Sequence, residues 1–244
     1  MSVPTSSQTN VIEPRLVAQL CDVAIRAAHS VRDDLLSAFR APMDTGTKVD
    51  FHDIVTIHDR RAEESLKSFI FREVPDSRVL GEEGGRQGDG RVEWYIDPID
   101  GTANFACGLA FWCVSIAAVV DGEIVAGVVF DPVSGNTFSA DAGGAWLNGA
   151  PLNSRAHSAE SEAVVAILAE RFSTVRRPGS AALSLCHVAA GWADAAIGFG
   201  VNAWDVCAAI LILRRAGGTY TPYRLGKVPA DAPDFMCPGY VGMG

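Results

Sequence analysis

The chain has 244 residues, 20 Lys plus Arg against 29 Asp plus Glu, a formal charge of −9 and 48% hydrophobic residues. That apolar share excludes a wholly disordered chain, and 24 Gly with 12 Pro are too few for a collagen-like or low-complexity one. The acidic balance argues against general nucleic-acid binding, yet allows a phosphorylated small molecule whose charge a metal offsets locally.

Met1 to Asn10 is polar, without the basic flank and apolar run of a signal peptide. No window approaches the ~18 apolar residues a membrane span needs. Six cysteines lack any C-x-x-C pair, which fits small buried hydrophobes in a reduced, cytoplasmic protein. Pro14 opens a helix whose apolar stripe runs through Leu16, Leu20, Val23, Ala27, Val31 and Leu35. Residues 41–53 break that period. Thr56 with Asp59 three residues on predicts a capped helix start, and Pro75-Asp76 stops that helix. Short strands follow at 78–80, 92–96, 112–120 and 123–130, with Asp121-Gly122 as a hairpin turn and further turns at Gly135 and Asn148-Gly149. Next come a strand at 164–168, a helix at 180–190, a strand at 193–199 and a helix at 202–216 stopped by Gly217-Gly218. The expectation is one α/β domain over 1–244, with subdomains of about 12–150 and 151–244 sharing one cleft.

Carboxylates gather where these elements end: Gly81-Glu82-Glu83, Asp97-Pro98-Ile99-Asp100-Gly101-Thr102, and Trp204-Asp205 at a helix start. Pro98 fixes a turn in which Asp97 and Asp100 can face one side, with the Ile99 carbonyl between them lacking a ladder partner. Such hard oxygen donors suit Mg²⁺ rather than zinc. Gly101 and Thr102 can offer backbone N–H groups to phosphate oxygens. Two aspartates in a turn are, taken alone, ordinary turn formers. Four convergent acids are harder to dismiss, because they repel one another without a cation. Glu83 reads as either a neighbour that tunes this site or a solvated acid. His29, His52, His58, His157 and His187 are scattered and read as core or surface residues, Arg176-Arg177 as a solvated pair, and Trp146 as hairpin packing.

The string W-x-x-D-P-x-D-G-T-x-N-F at Trp94–Phe105 resembles the signature of the inositol monophosphatase family. Trp204-Asp205 through Ala216-Gly217-Gly218 resembles its second signature, and Gly81-Glu82-Glu83 and Asp53–Asp59 are similar to two further elements in the same order. The resemblance spans roughly residues 15–220. It implies an α-β-α-β-α layered sandwich, commonly a homodimer, often inhibited by lithium, that hydrolyses small phosphate monoesters. By the same resemblance, Glu82, Asp97 and the Ile99 carbonyl hold a first Mg²⁺, and Asp97, Asp100 and Asp205 hold a second. A third, weaker ion is placed near Glu82. Gly101 and Thr102 face the phosphate, and Gly179, Ser180 and Ala181 face the sugar, with Asp100 and Asp205 also bordering the substrate. Glu82 and Thr102, the latter held by Asp59, help a metal-activated water attack phosphorus without a covalent intermediate.

Three departures bear on the substrate. The stretch between Ala169 and Gly179 is short where relatives carry an extra helix. Gly198 stands where inositol-specific relatives carry a hydroxyl-binding Glu. Only about 26 residues follow Gly218, so a final strand and helix are expected to be truncated. Inositol monophosphate leads as substrate, followed by histidinol phosphate, with fructose 1,6-bisphosphate and 3′-phosphonucleotides ranked lower. A non-catalytic interaction protein is the alternative of a different class.

Overall fold

The structure is a computed structural model that describes residues 12–41, 45–47, 54–154 and 176–244. Helix α1 (Pro14–Ser30) is followed at once by α2 (Arg32–Ala38). The expected single helix therefore breaks at Val31. Ser30 Oγ donates to the Ala27 carbonyl at 2.7 Å, a side-chain bond that competes with the helical ladder. The apolar stripe survives the break, and Val17, Leu20, Val23, Ala27, Val31 and Leu35 are buried; Leu16 only packs at its margin.

Strands β1 (Thr45–Thr47) and β2 (Ile54–Thr56) form a small antiparallel pair before α3 (Ile57–Glu73). The capping box expected at Thr56 and Asp59 is present. A mixed sheet of eight strands follows: β3 (Ser77–Gly81), β4 (Gly85–Gly88), β5 (Val92–Asp100), β6 (Cys113–Val120), β7 (Glu123–Asp131), β8 (Asn136–Asp141), β9 (Gly144–Leu147) and β10 (Ala150–Pro151). Their spatial order is β10-β9-β8-β7-β6-β5-β3-β4, and only β3 and β5 run parallel. Asp121 and Gly122 both take positive φ, 53° and 85°, as the tight β6–β7 hairpin requires. Gly85–Gly88 pairs antiparallel with β3 as an edge strand.

Every residue of β6 is buried, because both faces of the sheet are covered. Val114, Ile116, Ala118 and Val120 join the core under α1, α2 and α3, while Cys113, Ala117 and Val119 join the opposite core. That second core is closed by α5 (Ala181–Ala189) and α6 (Ala203–Arg215). Beyond these helices lies a three-stranded antiparallel sheet ordered β11 (Ala195–Phe199), β13 (Gly239–Met243), β12 (Thr219–Tyr223). The layered α/β architecture is thus the expected one. The supposed loss of a final strand is corrected: the residues after Gly218 supply β12 and β13, and β13 is the central strand. The strand expected at 164–168, Asp53, His52 and His157 fall outside the described residues, as does most of the 169–179 stretch. Among the described residues no helix is long and apolar enough to cross a membrane.

All six cysteines are free, and five are buried as expected; Cys107 is exposed. Trp146 packs in its hairpin and also lines a cavity of about 590 Å³ beside α1. The short helix α4 (Thr102–Cys107) is pinned by Phe105, whose ring meets Trp112 edge-on at 4.8 Å and 89°. Phe105 is fully buried. Phe105→Ala is expected to lower stability by about 3–5 kcal/mol in urea unfolding, the usual cost of an emptied aromatic site.

Candidate active site

An irregularity in β5 builds the site. Asp97 pairs with Ser115 and Asp100 with Cys113, so three steps along β5 match two along β6. In regular pleating, residues three apart point to opposite faces. The extra residue at Pro98-Ile99 cancels that alternation, as a β-bulge does. Ile99 drops into the core under α1 while both aspartates turn toward α5 and α6. Pro98 has no N–H to give the ladder, and the Ile99 N–H is taken by Asp97 Oδ1 at 3.0 Å.

The parallel register of β3 and β5 sets Gly81 opposite Ile96, which brings the following Glu82 level with Asp97. Asp205 arrives as the third residue of α6, one carboxylate oxygen accepting the Asn202 N–H at 2.7 Å. Ser115 Oγ donates to the Trp204 carbonyl at 3.2 Å and ties β6 to this helix start. Oxygens of Asp97, Asp100 and Asp205 all lie within 4.8 Å of one another. Glu82 is outside that triangle but is the strongest charged influence on Asp97.

Electrostatics show the strain of this arrangement. Burial, then Glu82, Asp100 and Asp205, holds the Asp97 carboxyl well above the usual carboxylate range. Burial also pushes Asp100 up to about 6, against hydrogen bonds from Ser180 Oγ (2.5 Å) and the Ala182 N–H (2.8 Å), with Glu82 adding to the rise. The charges that act most strongly on Asp97, those of Glu82, Asp100, Asp205 and Asp59, are all acidic. A crowded set of hard oxygen donors is the donor chemistry of a Mg²⁺-type cation.

Thr102 stands beside the acids, its hydroxyl 3.0 Å from both Asp59 Oδ1 and the Ile99 carbonyl. Its single proton satisfies one of them at a time. Asp59 Oδ2 accepts from Thr56 N at 2.8 Å and Thr56 Oγ1 at 2.6 Å, so one buried carboxylate both caps α3 and anchors Thr102. Burial raises its pKa despite these bonds. Gly101 takes φ 103°, and a Cβ there would press on the Phe111 carbonyl at 3.0 Å, so the turn demands glycine twice over.

The stretch Gly179–Ala181 also borders this cluster, but the Ser180 hydroxyl is committed to Asp100. Glu83 is no solvated acid: its side chain is 5% exposed, with Arg60 Nε at 4.0 Å. His187 packs between the rings of Phe111 and Trp192, and Arg176 and Arg177 are exposed. Cys113, overlooked in the motif reading, lies 3.7 Å from Asp100, and burial first, then Asp100, raises its thiol pKa far from thiolate formation. Asn104 was also overlooked. Its side-chain N–H₂ donates to the carbonyls of Phe111 and Pro178, both at 2.7 Å, stapling α4 to Gly179. Its place inside the Thr102–Phe105 string was the available signal.

The inositol monophosphatase family model matches residues 16–240. The chain belongs to this family. A Xylella fastidiosa protein named Nus factor SuhB is 41% identical over 197 residues, covering 72% of this chain and 70% of that relative. Rhizobium meliloti inositol-1-monophosphatase is 35% identical over 208 residues, covering 76% of this chain and 78% of the relative. Among solved structures, a Thermotoga maritima IMPase has a TM-score of 0.80 at 31% identity, over 95% of this chain and 92% of that one. Family and relatives indicate a phosphoric monoester hydrolase.

The raised carboxyl of Asp100 fixes a pH signature. Between its unfolded value near 3.8 and about 6 the folded state holds the extra proton, so cation-free stability falls as pH rises through that window. A divalent cation relieves the repulsion only once the proton has left. Mg²⁺ is therefore expected to raise Tm clearly at pH 7.5 and hardly at pH 4.5, as differential scanning fluorimetry reads directly; equal shifts at both values would contradict the arrangement.

Proposed function

We propose that this protein is a Mg²⁺-dependent phosphatase that hydrolyses inositol monophosphate or a related small polyol phosphate. The observation that carries this is the convergence of Asp97, Asp100 and Asp205 with Glu82 and the Thr102 hydroxyl. In this reading Glu82, Asp97 and the Ile99 carbonyl hold one ion, Asp97, Asp100 and Asp205 a second, and Glu82 borders a third, weaker position. Bound cations supply the charge neutralisation and Lewis acidity that the slow hydrolysis of a phosphate monoester requires.

The chain's own groups do the positioning. Asp59 Oδ1 takes the Thr102 proton in a hydrogen bond and leaves the hydroxyl oxygen turned toward the attacking water. Glu82 is the second group that orients this water and draws its proton. The Gly101 and Thr102 N–H groups receive phosphate oxygens, while Gly179, Ser180 and Ala181 wall the alcohol side, Ser180 acting through Asp100. No protein nucleophile is used, in keeping with the raised thiol pKa of Cys113. A single domain of two subdomains, a homodimer, a cytoplasmic location and lithium inhibition belong to the same reading.

Gly198 bears on the alcohol. It pairs with Tyr240 across β11 and β13, and a Cβ on it would lie 2.3 Å from the Tyr240 ring. An acid at this position has no room beside that ring, which keeps histidinol phosphate open as the substrate. The name Nus factor SuhB on a relative favours the interaction-protein alternative. Against it stands the cost of keeping four convergent acids with no use for a cation.

Phosphate release from inositol 1-phosphate, histidinol phosphate, fructose 1,6-bisphosphate and 3′-phosphoadenosine, with and without Mg²⁺, decides among these. Metal-dependent turnover is expected, and its absence on every compound would sink the proposal. Asp97→Asn, which removes a ligand shared by two ions, should lower kcat on the order of 10³-fold or more. Gly198→Glu should cost about 1–3 kcal/mol in chemical unfolding through overpacking, with partial recovery when Tyr240→Ala is added.

A further inference from the structure

Helix α3 buries an unexpected stripe. Asp59, Ala62, Glu63, Leu66, Lys67 and Ile70 recur at helical spacing and all face inward, although half of them are charged. Asp59 is accounted for by Thr56 and Thr102. Glu63 and Lys67 are not used by the chemistry described above. Their side chains are 1% and 4% exposed, and Lys67 Nζ lies 2.6 Å from Glu63 Oε1.

The two oxygens of Glu63 are directed at one target. Oε2 accepts the Glu83 N–H and Oε1 the Gly84 N–H, each at 2.7 Å. These are consecutive amides in the turn that begins at Glu82, and the turn lies directly on the ion pair. A Cβ on Gly81 would meet Glu63 at 2.4 Å, and one on Gly84 would meet Lys67 Nζ at 2.4 Å. A carboxylate that accepts two neighbouring amides at once fixes the orientation of both peptide planes, and charge assistance makes each bond strong. Lys67 offsets the charge that Glu63 would otherwise carry alone into the interior.

We propose that Glu63 and Lys67 are positioning residues: the buried pair clamps the 82–84 turn and thereby sets the Glu82 carboxylate beside Asp97, so that cation affinity depends on a pair that does not touch the cation. The inference rests on the proposed metal role of Glu82. It predicts coupling to Glu82 rather than a general loss of fold.

The test uses the full-length chain and Mg²⁺ itself. Removing one partner strands a buried charge, so both are neutralised together as Glu63→Gln/Lys67→Met. Titration calorimetry should show at least tenfold weaker Mg²⁺ binding in that variant. In a Glu82→Gln background the same double change should weaken binding less than twofold further, because the carboxylate it positions is gone. Unchanged affinity in the first case, or a full tenfold loss in the second, overturns the proposal. Should the variant fail to fold, amide exchange of the unaltered chain decides: Glu83 and Gly84 N–H groups protected like the interior of α3 support the clamp, and exchange at open-loop rates refutes it. Absence of any Mg²⁺ binding by the unaltered protein would instead strike the functional reading, while the exchange measurement still judges the clamp.

Discussion

Mutual repulsion among crowded carboxylates, two of them buried and one half-buried, is the constraint around which this molecule is organised. Left in water, the groups of Asp97, Asp100 and Asp205 would separate; here two features of the fold oblige them to meet. The bulge at Pro98-Ile99 turns two of them to one face, and the packing of α6 on the sheet delivers the third. Hydrogen-bond donors surround them. The Ile99 and Asn202 amides and the Ser180 hydroxyl each bond one carboxylate without neutralising it. Three acidic oxygens within 4.8 Å of one another form a group that could hold a metal ion.

Much of this was legible in the chain. Thr56 and Asp59 marked a helix start by their spacing, Asp121-Gly122 marked a hairpin, and the order of four short strings pointed to one family. Such signals are local, since each needs only a few adjacent residues to be recognised. The acids of the site were legible for the same reason: they sit at element ends, inside those strings.

What stayed hidden depends on contacts between distant segments. Glu63 and Lys67 belong to no motif, and only the turn after β3 laid on them shows the use of the buried pair. Tyr240 carries no motif, and only the pairing of β13 with β11 reveals that its ring fills the space above Gly198. The break at Val31 left the apolar stripe intact, so periodicity had nothing to register. Strands β12 and β13 were missed because residues 219–243 are rich in Gly and Pro, which resemble turns when read alone.

One carboxylate serves two masters at the start of α3. Asp59 caps the start of α3 through Thr56 and steadies Thr102 with its other oxygen. Fraying of the first helical turn, a low-energy motion in most proteins, here also releases the hydroxyl. The first turn of α3 and the orientation of the Thr102 hydroxyl therefore hang on one side chain, and neither can loosen without disturbing the other.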